Sequence, residues 1–109
     1  MEHANALAFP SLTEGFGLPP LEAMLLGTPA ICAPCGALPE VCGDMTTYVD
    51  PNDVAGWADA IYRISTEESH VRQNRVQAAR QHAARFTWDA ASRRLADIAV
   101  NCIRSQEAA

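Results

Sequence analysis

Two glutamates bracket a glycine-rich stretch near the start of this 109-residue chain, Glu14-Gly-Phe-Gly-Leu-Pro-Pro-Leu-Glu22. Gly15 and Gly17 lack the Cβ that would hold a ligand away from the backbone. The helix that starts near the prolines adds unpaired amides and a positive dipole end, both suited to a phosphate. Carboxylates do not bind phosphate, but they accept hydrogen bonds from hydroxyls. Amides for a phosphate, set between two groups for polyols, describe a site for a nucleotide sugar. A glycine loop before a helix is by itself a weak signal.

Plainer roles compete for the same residues. Glu22 in a first helical turn would complement the helix dipole, a contribution of about 0.3–1 kcal/mol. Glu14 alone would be an ordinary solvated acid of a loop. Phe16 reads as a plug against the sheet rather than a ligand-facing ring. Cys32-Ala-Pro-Cys35 has the spacing of a zinc knuckle or redox pair, but no second pair and no near histidine completes it, so plain buried cysteine is the reading adopted. No metal ligand is assigned. Glu40 is read as structural, and His3, His70 and His82 as surface residues. The arginines from Arg72 to Arg94 read as a solvated face rather than a membrane patch, and Trp57 and Trp88 as members of core stripes.

The elements that must hold the loop alternate. Ala6–Pro10 reads as a short buried strand and Ser11–Leu18 as a loop. Pro19 is the expected cap of a helix whose first residue is Pro20 and which Gly27 ends. Pro29–Ala33 is a second strand, Leu38–Cys42 one or two helical turns before Gly43, and Thr46–Val49 a third strand. Asp53 caps a helix with the apolar stripe Val54, Trp57, Ala58, Ile61 and Ile64. Ser65 and Glu68 fit a capping box for a polar helix. Thr87 caps a last helix with the stripe Ala91, Leu95, Ile98, Ala99 and Cys102; Ser105–Ala109 reads as frayed. Short apolar strands alternating with helices predict an α/β fold, a partial Rossmann-like doubly wound parallel sheet followed by C-terminal helices. Ligands of such sheets sit beyond the carboxyl ends of the strands, where Glu14 falls.

Bulk properties narrow the classes. Hydrophobic residues make up 49% and charged residues 19%, a globular balance, and the net charge of -5 offers no general field for nucleic acid. No stretch is long and apolar enough to span a membrane, and no leader opens the chain, so the cytoplasm is the default compartment. A membrane-peripheral placement stays open for the full-length protein. Three strands would leave two open edges, which predicts self-association and points to sequence missing upstream.

Pro10-Ser-Leu-Thr-Glu-Gly-Phe-Gly-Leu-Pro-Pro-Leu-Glu-Ala-Met-Leu-Leu-Gly-Thr-Pro29 resembles the signature of family 4 (group 1) glycosyltransferases of the GT-B fold, whose hallmark glutamates are matched by Glu14 and Glu22. The resemblance continues through Gly36-Ala-Leu-Pro-Glu40, Val49-Asp-Pro51 and Arg85-Phe-Thr-Trp88. It implies the C-terminal half of the second GT-B domain, the nucleotide-sugar-binding one, with the acceptor-binding N-terminal domain absent. It implies that Glu14 acts near the reacting centre and that the amides of Gly15, Phe16, Gly17 and Leu18 meet sugar hydroxyls and the diphosphate. Glu22 is implied to hold the ribose hydroxyls. Transfer would retain anomeric configuration, use no cofactor or metal, and pass a hexose to a sugar or lipid acceptor. The basic residues that grip the diphosphate in relatives lie upstream of Met1. Relatives commonly carry two glycines where this chain has Gly36-Ala37. The Leu18-Pro-Pro20 variant resembles bacterial mannosyltransferases of surface polysaccharides. The alternative is a non-catalytic fold fragment that binds nucleotide weakly or not at all.

Overall fold

Glycines, prolines and two side-chain caps divide the chain into its elements. A computed structural model describes residues 1–108. The strands are β1 (Leu7–Phe9), β2 (Ala30–Cys32) and β3 (Thr47–Tyr48). The helices are α1 (Leu18–Leu26), α2 (Leu38–Cys42), α3 (Val54–Ser65), α4 (Ser69–Ala83) and α5 (Trp88–Ala108), with a 3-10 turn at Gly43–Met45. The order of strands and helices is the predicted one. The fraying expected over Ser105–Ala108 is replaced by continued helix; Ala109 lies outside the described residues.

The sheet is parallel with order β1-β2-β3; Leu7 pairs with Ala30, Phe9 with Cys32, and Cys32 with Tyr48. Strand β2 has a neighbour on each side and helices on both faces, so all three of its residues are buried. Its alternation divides the interior. Ala30 and Cys32 join Leu21, Met24, Leu38, Val41, Cys42, Ala79 and Ala83 on the side of α1, α2 and α4. Ile31 points the other way, to Ala60 and Ile64 of α3. That is the two-faced covering of a doubly wound fragment. Strand β1 is less buried than expected, with Ala8 exposed, because only β2 flanks it.

Several local expectations hold and some are corrected. Gly27 adopts φ 80° and ends α1. Asp53 accepts a hydrogen bond from the Gly56 amide at 2.9 Å, and Thr87 one from the Ala90 amide at 3.0 Å. Helix α1 begins at Leu18, not Pro20. Gly17 takes φ 103° and turns the chain into the helix, and the donors that Pro19 and Pro20 lack belong to a first turn that has no acceptors for them. The Ser65–Glu68 capping box does not form. Ser65 is still in α3, and Thr66 closes that helix by bonding the Tyr62 carbonyl through its amide and its hydroxyl. Glu68 caps α4 with no side-chain bond.

Helix faces depart further. In α3 the buried edge runs through Ala60 and Ile64 with Trp57 half-buried, whereas Val54, Ala58 and Ile61 face outward. The sheet contacts the helix along the line of Ile31, and that line, not the broadest apolar stripe, decides its rotation. Trp88 is 88% exposed rather than core. No residue of α5 is buried. The stripe keeps its periodicity, but none of its residues joins a core cluster. The α4 arginines are exposed or half-buried yet engaged: Arg72 donates to the Asn5 carbonyl at 2.9 Å, and Arg75 pairs with Glu67 at 2.8 Å.

Candidate donor-binding site

Beyond β1 the chain runs from Pro10 into the loop Ser11–Gly17, at the carboxyl edge of the sheet. The loop after β2 meets it there. Glu14 offers its carbonyl to the Ala37 amide at 3.1 Å, and Ser11 offers its carbonyl to the Cys35 thiol. The contact is close because Gly36, at φ 53°, has no side chain: a Cβ there would collide with the Glu14 carbonyl oxygen. Ala37 has φ -81°, which any residue adopts, so alanine in place of a second glycine leaves this turn undisturbed.

Glu14 is half-buried, and its Oε2 accepts a hydrogen bond from the Ser11 hydroxyl at 3.1 Å. Gly15 is exposed, keeps an ordinary φ, and a Cβ built on it meets nothing within 4 Å. Gly17 is buried against Leu38 in the left-handed region. Because Pro19 and Pro20 have no N–H, the donors at this helix start reduce to those of Gly15, Phe16, Gly17 and Leu18. Among the described residues none of these four amides has a hydrogen-bond partner. The amide of Leu21 closes the first helical bond, to Gly17.

Glu22 stands in the second turn of α1 and is exposed, while Pro20, Leu21, Ala23 and Met24 face the interior. Its place past the first turn weakens the plain helix-dipole reading. It borders an apolar groove of about 680 Å³ with Phe16, Leu18, Leu25, Phe86 and Trp88. Phe16 is 44% exposed and packs edge-to-face on Phe86, ring centroids 5.9 Å apart, so it plugs the α4–α5 corner and not the sheet. Glu40 lies in the first turn of α2, where a carboxylate complements the dipole.

His82 is the clearest departure from a surface reading. Its Nε2 lies 2.7 Å from the Val41 carbonyl and its Nδ1 2.7 Å from the Arg85 guanidinium. Arginine can only donate, so Nδ1 accepts and Nε2–H donates, which ties α4 to α2. His3 and His70 are exposed. Cys32 and Cys42 are buried in one core cluster, and half-buried Cys35 packs against it. Hydrogen bonding to Cys42 first, and burial second, raise the Cys32 thiol well above its ordinary value. Among the described residues no three His, Cys, Asp or Glu side chains gather as metal ligands, and no helix is long and apolar enough to cross a membrane.

The family described as "Glycosyl transferases group 1" matches residues 1–82, well over half of the chain. This chain belongs to the group 1 glycosyltransferases. The D-inositol 3-phosphate glycosyltransferase of Corynebacterium diphtheriae is 40% identical over 97 residues, covering 87% of this chain and 22% of that protein. The enzyme of the same name from Mycobacterium avium is 41% identical over 88 residues, 79% of this chain and 21% of its own length. The O-antigen chain mannosyltransferase B of Escherichia coli is 38% identical over 86 residues, 79% and 22% respectively. The chain thus spans about a fifth of the length of the curated relatives it matches. The family match runs from β1 into α4 and so includes all six predicted site residues of this group 1 chain; it stops before α5. Ser11 and the Gly36–Ala37 turn were absent from the residues predicted for the site. The only trace of Ser11 in the sequence is a hydroxyl three residues before an acid.

Proposed function

We propose that this chain is the C-terminal part of the nucleotide-sugar-binding domain of a larger GT-B glycosyltransferase of family 4. The enzyme transfers a hexose, with retention, from a nucleotide diphosphate sugar to a sugar or lipid acceptor. The observation that carries this reading is the run of four unpartnered amides, Gly15 to Leu18, with Glu14 before it and Glu22 just beyond. Amides and the α1 dipole take the diphosphate, Glu14 takes hydroxyls of the donor sugar near the reacting centre, and Glu22 takes the ribose. Stabilising the departing diphosphate with fixed donors is a differential electrostatic effect that asks for no metal and no cofactor. Mannose as the donor sugar draws support from the name of the E. coli relative.

In the complete enzyme Glu14→Ala should lower kcat by about 100-fold or more, the scale of one lost transition-state interaction of this kind. Glu22→Gln should weaken donor binding by about tenfold with a smaller change in kcat. Near-normal turnover of Glu14→Ala would remove its role, and unchanged donor affinity of Glu22→Gln would remove the ribose assignment. Calorimetric titration of the 109-residue chain with nucleoside diphosphates and their sugars tests the alternative, a fragment that binds weakly or not at all. Tight binding by this chain refutes that alternative.

A further inference from the structure

Glu14 is held by more than its own backbone. The Ser11 hydroxyl reaches Glu14 Oε2 at 3.1 Å and the Thr13 carbonyl at 2.9 Å, and its single proton serves one acceptor at a time. Both ends of this short turn are tied to the loop after β2, Ser11 through the Cys35 thiol and Glu14 through the Ala37 amide. The backbone that carries the hydroxyl and the backbone that carries the carboxylate therefore cannot drift apart. A flexible glutamate side chain left free would sample several rotamers. A hydroxyl fixed beside it selects one, and charge-assisted bonds of this kind are the stronger class.

We propose that Ser11 is a positioning residue for Glu14, setting the orientation of its carboxylate toward the donor sugar. The inference rests on the role given to Glu14 above. It assigns nothing to Ser11 at the substrate itself. A merely structural serine would act through the Thr13 carbonyl, steadying the turn whatever stands at position 14.

The test is a double-mutant cycle in the complete enzyme, reading kcat, donor KM and melting temperature. Ser11→Ala is expected to lower kcat by about tenfold, the scale of one charge-assisted hydrogen bond, with donor KM within about twofold. Ser11→Thr, which restores the hydroxyl, should recover most of the rate. In the Glu14→Ala background, which removes the acceptor, the same Ser11→Ala change should alter kcat by less than about twofold. An equal loss in both backgrounds, or no loss in the parent, overturns the proposal. If Glu14→Ala itself leaves kcat unchanged, the reading of Glu14 fails first and this one with it. Should Ser11→Ala unfold the enzyme, Ser11→Cys carries the same comparison with a weaker donor of similar size.

Discussion

Replacing Gly36 by alanine probes the contact between the loop after β1 and the loop after β2. Two costs can be worked from the structure. An alanine at φ 53° enters the left-handed region, which costs roughly 1–2 kcal/mol for a residue with a Cβ. That Cβ would also overlap the Glu14 carbonyl oxygen and lie 3.0 Å from the Glu14 amide nitrogen. Both are backbone atoms and cannot rotate away, so the loops must separate. Separation lengthens the 3.1 Å bond from the Ala37 amide to Glu14, whose net contribution is about 1 kcal/mol. The sum is roughly 2–3 kcal/mol, which for a domain of this size lowers the melting temperature by roughly 10 °C or more. Thermal denaturation of the 109-residue chain, followed by circular dichroism, measures this directly. In the complete enzyme the same substitution should also reduce kcat, since Glu14 moves with its backbone. A Gly36→Ala chain melting within about 2 °C of the parent would refute the assigned contact, because neither cost could then be present.

Other outcomes follow from the same geometry. Gly15→Ala should leave stability unchanged or raise it by up to about 1 kcal/mol, since its φ is ordinary and its Cβ meets open space, yet weaken donor binding by about tenfold or more; a stable variant with undiminished affinity in calorimetry would count against ligand approach at Gly15. Maleimide labelling followed by mass spectrometry should modify exposed Cys102 rapidly and leave buried Cys32 and Cys42 untouched until the chain unfolds; equal rates at Cys32 and Cys102 would contradict the packing. Stability should fall in alkali. The Cys32 and Cys42 thiols shift in opposite directions, so Tyr48, raised chiefly by burial, sets the sign. The unfolded chain then releases the Tyr48 proton first, so this stabilisation is complete below the ordinary value of 10.0 and is lost as pH climbs above it. Urea titrations from pH 7 to 11 read this, and a midpoint that rises across that range would reverse the sign.

What this chain's sequence determined alone is whatever its neighbours within a turn or two could decide. Gly27 ends α1, Asp53 and Thr87 cap α3 and α5, and the run of short apolar segments between helices predicts a parallel sheet, because caps and periods are local properties of the backbone. The supply of backbone donors in the Glu14–Glu22 segment was legible for the same reason: glycines and prolines within nine positions state which N–H groups exist. Tertiary structure decided the rest. Which edge of α3 is buried depends on where Ile31 lies, far away in the chain, and no count of apolar residues within α3 contains that information. His82 is drawn inward because the Val41 carbonyl needs a donor, a partner separated from it by 41 positions. The stripe on α5 remains uncovered because amphipathic periodicity states that a face seeks a partner without supplying one. Glu14 itself shows the division. Its presence beside the amides was written in the sequence, but its hold on Ala37, and the closeness that Gly36 permits, exist only where β1 and β2 lie side by side.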